Sequence, residues 1–124
     1  MITEQEINQL VANINEILQE DRAKLKISFH FAVERLNDNR NNPPITLNEL
    51  RTIFIKFIKH HLQKILEKEE GFSFTIKCKK SGIAIPCAIE HEFDIGSKWV
   101  IQQVITIMRK WDFNAYHGDA LFEI

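Results

Sequence analysis

Long apolar runs are missing from this chain. No stretch approaches the ~20 consecutive apolar residues that a membrane-spanning helix needs, so no span is expected. An excess of one charge sign is missing too. Sixteen Lys and Arg stand against 17 Asp and Glu, a formal charge of −1, which argues against a surface that clings everywhere to nucleic acid and leaves only a local basic patch open. Cysteine is scarce: Cys78 and Cys87 stand alone, and neither C-x-x-C nor H-E-x-x-H spacing occurs. A structural zinc site wants about four ligands, so no metal and no other cofactor is expected. The opening residues, Met1-Ile2-Thr3-Glu4-Gln5-Glu6, are acidic and polar, unlike a secretory signal. With two thiols at most, a reducing, cytoplasmic setting is the expectation.

What is present suits one globular domain with a single core: 124 residues, 44% apolar and 27% charged. It divides into a helical extension (1–21), an α+β core (24–108) and a tail (109–124). Thr3 and Glu6 form a capping-box signal before Ile7, Leu10, Val11, Ile14, Ile17 and Leu18 on one helical stripe. Leu25, Ile27 and Phe29 alternate with Lys24, Lys26 and Ser28 as a half-buried strand. A short helix is predicted from His30 to about Asn37, stopped by asparagines and the Pro43-Pro44 pair. Thr46 and Glu49 open the longest helix, which runs to the charged stretch before Gly71.

The remainder reads as sheet. Phe72 to Cys78 and Ile83 to Ile89 alternate around the turn Lys79-Lys80-Ser81-Gly82, and Trp99 to Met108 is apolar on both faces, as a central strand would be. Pro86 should fall at an edge or a bulge, because it cannot donate to a ladder. A four-residue turn sets Cys78 opposite Ile83 and Cys87 opposite Phe74, separating the thiols by roughly 13 Å at strand rise, where a disulfide needs Cα atoms within about 7 Å. The expected architecture is an N-terminal helix, then β-α-α-β-β-β with an antiparallel meander and helices on one sheet face. Leu25, Ile27, Phe74, Ile76, Ile83 and Ile85 take the covered face. Lys24, Lys26, Ser28, Ser73, Thr75, Lys77, Ala84, Pro86 and Ala88 take the other, which reads as open and mildly cationic.

The densest polar chemistry lies between His30 and Thr46. His30 and Glu34 are four apart and share a helix face, and a histidine beside a carboxylate can act as acid or base near neutral pH. Arg35 and Arg40 can hold a phosphate or stabilise building charge. Those are the parts of metal-free RNA cleavage, with Lys24, Lys26, Lys77 and Arg109 as guides for the strand. The competing reading is structural: His30 and Glu34 start a helix, and Arg35 anchors a network. His61 reads as a core-edge histidine, Glu90-His91-Glu92 as a solvated connector, and Tyr116, His117 and Asp119 as a polar cluster in the tail.

The pattern H-F-x-x-E-R-x-N-D-x-R-N-x-P-P-I-T-x-x-E-L (His30 to Leu50), with I-M-R-K-x-D-F (Ile107 to Phe113) and I-P-C (Ile85 to Cys87), resembles a family of small bacteriophage proteins. That resemblance implies an origin, and with it the host-cell cytoplasm or the virion as location, but no mechanism. The deduced topology is also similar to RelE-like toxins and the RegB-type phage endoribonuclease. The resemblance implies an RNA-binding open face and activity without metal. This chain differs from them in its near-neutral charge and its N-terminal helix. Two function classes follow: a nucleic-acid-acting protein, as metal-free endoribonuclease or plain binder, and a non-catalytic module that docks on a host or phage protein. No membrane partner is expected, and the oligomeric state is left open.

Overall fold

Two capping boxes start the two long helices. Thr3 Oγ1 accepts from the Glu6 N–H at 3.1 Å while the Glu6 carboxylate accepts from the Thr3 N–H, and α1 (Glu4–Leu18) follows. Thr46 and Glu49 repeat the arrangement before α3 (Leu47–Leu66). Of the stripe the spacing predicts on α1, Ile7, Leu10, Ile14 and Leu18 are buried while Ile17 faces solvent; α3 buries Leu50, Ile53, Phe54, Phe57, Leu62 and Ile65. Between the helices come β1 (Ala23–Ile27) and the single turn α2 (Glu34–Leu36). After α3 come β2 (Ser73–Lys77), β3 (Ile83–Asp94), β4 (Ser97–Val104), β5 (Met108–Arg109) and β6 (Ala120–Glu123). The computed structural model describes residues 1–28, 32–114 and 120–124. His30, where the short helix was expected to begin, and the Tyr116, His117, Asp119 cluster lie outside the described residues.

The chain is α+β. Its six strands form one mixed sheet in the order β1-β4-β3-β2-β6, with β5 pairing β3. The expected meander β2-β3-β4 is its interior. β1 joins parallel to β4 and β6 parallel to β2, so both edges break the antiparallel rule. Phe74 stands opposite Cys87, and the Cys78 N–H donates to the Ile83 carbonyl at 2.9 Å, which is the register the turn length implies. Both cysteines are free. Burial pushes the Cys87 thiol far above its ordinary range, so it behaves as a core residue.

The apolar run expected as one central strand is two. Cys87 pairs with Val104, but Ala84 pairs with Met108, one residue out of step. That is a β-bulge, and it lies opposite Pro86, whose carbonyl accepts from the Ile105 N–H at 2.9 Å while the ring has no N–H to return. Pro86 is thus a bulge proline in the sheet's interior strand, not an edge proline. The extra residue flips side-chain parity, so Arg109 pairs with Ile83 on the helix-covered face instead of continuing the outer one.

Helices cover one face, as expected. Leu25, Ile27, Phe74, Ile76, Ile85, Ile89 and Val104 join the helix stripes in a single core. Phe57 of α3 stacks on Phe74 at 5.6 Å and meets Phe122 edge-on at 5.9 Å. Among the described residues no helix is long and apolar enough to cross a membrane.

Three side chains guard backbone groups that the ladders leave open. Asn15 of α1 accepts from the Leu25 N–H at 2.7 Å and donates to the Leu25 carbonyl at 3.2 Å, like a one-residue strand against β1. On the opposite edge His61 Nε2 lies 3.3 Å from the Glu123 carbonyl. Glu70 accepts from the His91 N–H at 3.2 Å where β3 outruns β2. Guarded edges resist pairing with foreign strands. Asn15→Val removes both bonds to Leu25 and is expected to cost about 1–3 kcal/mol in urea unfolding; an unchanged midpoint would show that the amide stabilises nothing.

Candidate functional site

The polar segment nominated by sequence closes on Arg109. This side chain is only 3% exposed, and every nitrogen of its guanidinium has an acceptor. Nε donates to the Pro43 carbonyl at 2.8 Å, Nη1 to the Ser81 carbonyl, and Nη2 to the Pro44 carbonyl and both Glu49 oxygens, the latter at 2.9 and 3.1 Å. The Arg109 N–H donates to Asn41 Oδ1 at 2.8 Å, and buried Asn41 in turn donates to the carbonyls of Arg35 and Leu36. A planar fork of five donors suits such a ring of carbonyls and one carboxylate. Burial pushes the Glu49 carboxyl up, but the hydrogen bond from Arg109, the Thr46 N–H and the adjacent positive charge outweigh it. The net result lies below the ordinary 4.5.

The other nominated residues are scattered over different tasks. Arg40 grips Asp38 with two bonds of 3.0 and 2.9 Å, and these hold the Asp38 carboxyl at about 2. Arg35 Nη1 stands 3.9 Å from the same carboxylate. Both arginines therefore converge on Asp38. Glu34 is exposed, and His30 lies outside the described residues. An asparagine-rich hollow of about 310 Å³ borders this loop, yet its Asn37 is engaged in both directions with the Ile2 backbone.

The sheet's second face is not the bare cationic surface expected. Lys77 is 8% exposed. Its ammonium donates to the Lys110 carbonyl at 2.6 Å and sits 5.8 Å from the Phe113 ring, so the stretch from Lys110 to Phe113 lies over it. Burial lowers the Lys77 pKa. Gly82 makes that cover possible: a Cβ there would fall 2.5 Å from the Trp111 ring, and its φ of +72° is glycine territory. Lys26 is paired with Glu92 at 2.8 Å, and Lys24 rides over the Trp99 ring at 5.1 Å. Thr75, Ala84 and Ile101, all on this face, are buried. Among the described residues no group of three His, Cys, Asp or Glu side chains is placed to hold a metal ion.

Sequence reasoning passed over the end of the β3–β4 hairpin. Ile95 and Gly96 form a two-residue turn with φ of +47° and +76° between the paired Asp94 and Ser97. Ile95 is 99% exposed and Phe93 75%. Beyond the Glu92–Trp99 pair, whose side chains still meet Lys26 and Lys24 of β1, no other described residue pairs with β3 or β4, so a short two-stranded arm projects past the sheet by roughly 7 Å at strand rise. The available signal was the dipeptide Ile95-Gly96, where such turns favour Asn-Gly. No protein-family model, curated protein or solved structure matches this chain.

Arg109→Met leaves Glu49 and three carbonyls facing a buried apolar chain and is expected to cost about 3–5 kcal/mol in chemical denaturation; a loss under about 1 kcal/mol, that of an ordinary surface ion pair, would remove the brace. The Glu49 carboxyl titrates lower folded than unfolded, so its stabilisation is complete above the unfolded value and is lost as pH falls through the depressed one. Glu49→Gln should flatten that acid limb of the stability–pH curve, and an identical slope in both proteins would refute the assignment.

Proposed function

We propose that this chain is a non-catalytic interaction module that docks on a protein through the tip of the β3–β4 hairpin. Ile95 carries the reading. A β-branched residue held in the left-handed region costs roughly 1–2 kcal/mol relative to an unstrained backbone, and this one gains nothing from burial. A side chain kept against both backbone strain and exposure is better explained by contact with something outside the fold. Phe93 stands beside it, and large aromatic side chains make good anchors in partner pockets. The near-neutral charge supports a protein partner over a polyanion. The bacteriophage resemblance would make the module a host-takeover factor in the host cytoplasm or a component of the virion.

One observation favours a second reading. Glu34 is solvent-facing and the Arg40 side chain is 69% exposed, on the segment that follows His30. A metal-free ribonuclease of the RelE/RegB kind would work from that rim. It requires RNA cleavage in EDTA that Glu34→Gln and His30→Ala both abolish without lowering Tm; wild-type protein that leaves several RNAs intact removes it.

Ile95→Asn supplies the residue such a turn favours, so the variant should be more stable than the parent by about 1 kcal/mol while losing its docking. A photo-crosslinker placed at position 95 in the producing cells should capture a discrete protein species, and Phe93→Ser should prevent the capture. Absence of any adduct at 95, or a destabilised Ile95→Asn, would contradict the reading.

A further inference from the structure

We infer that the β2–β3 turn and the exposed side of α3 form a track for single-stranded nucleic acid, with phosphates on Lys56, Lys59 and Lys80 and an unpaired base stacked on Trp111. The site is separate from the hairpin tip: the turn lies where β3 begins, at Ile83, and the tip where it ends, after Asp94. A net charge near zero describes the whole surface and not its parts. Residues 1–21 hold five acidic side chains and no basic one, whereas α3 holds Arg51, Lys56, Lys59 and Lys64 against a single acid, Glu49. That acid is committed to Arg109. Lys56 and Lys59 are exposed one turn apart on α3, and Lys80 is exposed on the turn. Among the described residues none of the three has an ion-pair partner. By contrast Lys24, Lys26, Lys77 and Arg109, the guides the sequence suggested, all have internal partners.

Helix and turn meet at a hollow of about 170 Å³, lined by Thr52 and Lys56 from α3 and by Lys80 and Ser81 from the turn. Two ammonium groups and two hydroxyls suit a phosphate's charge and its several acceptor oxygens. The Glu49 carboxylate also lines the hollow, but Arg109 already matches its charge. Of the other acids on this side, Glu123 is paired with Lys79 at 2.7 Å, and Asp112 favours the charge of Lys77. Trp111 decides between duplex and single strand. A Cβ built on Gly82 would fall 2.5, 2.7 and 2.7 Å from three contiguous ring carbons, so the indole lies flat on the glycine. Its other face is turned outward, and the residue is 59% exposed. The Lys110 N–H donates to the Gly82 carbonyl at 2.9 Å, which ties this platform to the turn that carries Lys80. A backed, solvent-facing indole offers a surface on which an unpaired base stacks, whereas a duplex keeps its bases inside. An acidic peptide would match the lysines and leave the indole without a partner.

Fluorescence anisotropy of a labelled oligothymidylate, titrated with the full chain, should show binding at low salt. That affinity should fall with salt at a log–log slope near −2, three phosphates at about 0.7 each. Lys56→Ala and Lys80→Ala should each flatten the slope by about 0.7. Trp111→Leu keeps an apolar cover over Gly82 and removes the aromatic face, so it should weaken binding at least about fivefold with the salt slope unchanged. Phe93→Ser should alter nothing, which separates failure of this site from failure of the docking tip. If position 111 proves structural and Tm drops, the two lysine variants still decide, since neither side chain has a hydrogen bond among the described residues. No binding at low salt, equal affinity for a duplex of the same length, or equal competition by polyglutamate would overturn the assignment. Affinity indifferent to Trp111→Leu would overturn it as well.

Discussion

The guanidinium of Arg109 holds together parts of the chain that have no other reason to meet. It binds the proline loop, the turn between β2 and β3, and the first turn of α3, while its backbone N–H reaches α2 through Asn41. A buried cation is tolerable only when its donors are matched, and here carbonyls do most of the matching, with Glu49 supplying the opposite charge. Prolines are apt partners, because Pro43 and Pro44 bring carbonyls without N–H groups that would themselves need acceptors. Glu49 serves twice. One of its oxygens closes the α3 capping box and both accept from Arg109, so helix start and loop are fixed by the same carboxylate.

From that brace follows a division of labour. The residues that looked like chemistry at one end of the sheet belong to the scaffold: Arg109 and Asn41 inside it, Arg35 and Arg40 pairing with Asp38 at its surface. Cationic groups on the second face are likewise engaged, by Glu92, by the Trp99 ring and by the segment over Lys77. Among the described residues the most exposed large apolar side chains after Met1 lie at the far end of β3, where Phe93 and Ile95 extend into solvent on a turn strained for an isoleucine. Guarded strand edges and an unguarded side-chain tip favour recognition by insertion over recognition by strand addition.

Local signals were legible in the sequence and non-local ones were not. Both capping boxes need only four consecutive residues, and the helix stripes and the Phe74–Cys87 register follow from period and turn length alone. Arg109 escaped for a definite reason. Strict alternation from Val104 carries it to the outer face, but the bulge opposite Pro86 adds one residue and turns it inward; the proline announced a bulge without saying which strand would carry it. Lys77 was assigned to the correct face and the wrong environment, because the cover comes from residues more than thirty positions away. The parallel edge pairings of β1 and β6 are equally non-local, and nothing in their own residues distinguishes them from antiparallel neighbours. The hairpin tip was visible as Ile95-Gly96, but its meaning depends on the exposure of Ile95, which periodicity does not give.

The most direct measurement is a double-mutant cycle in urea on Arg109→Met and Glu49→Leu, singly and together. If the pair is the brace, the double variant should recover at least about 1 kcal/mol of what the single changes lose when summed, since each single change strands the other partner. Costs that add to within about 0.3–0.5 kcal/mol would mean that the two side chains stabilise the fold independently. In that case the polar segment around Arg109 would be free for chemistry after all.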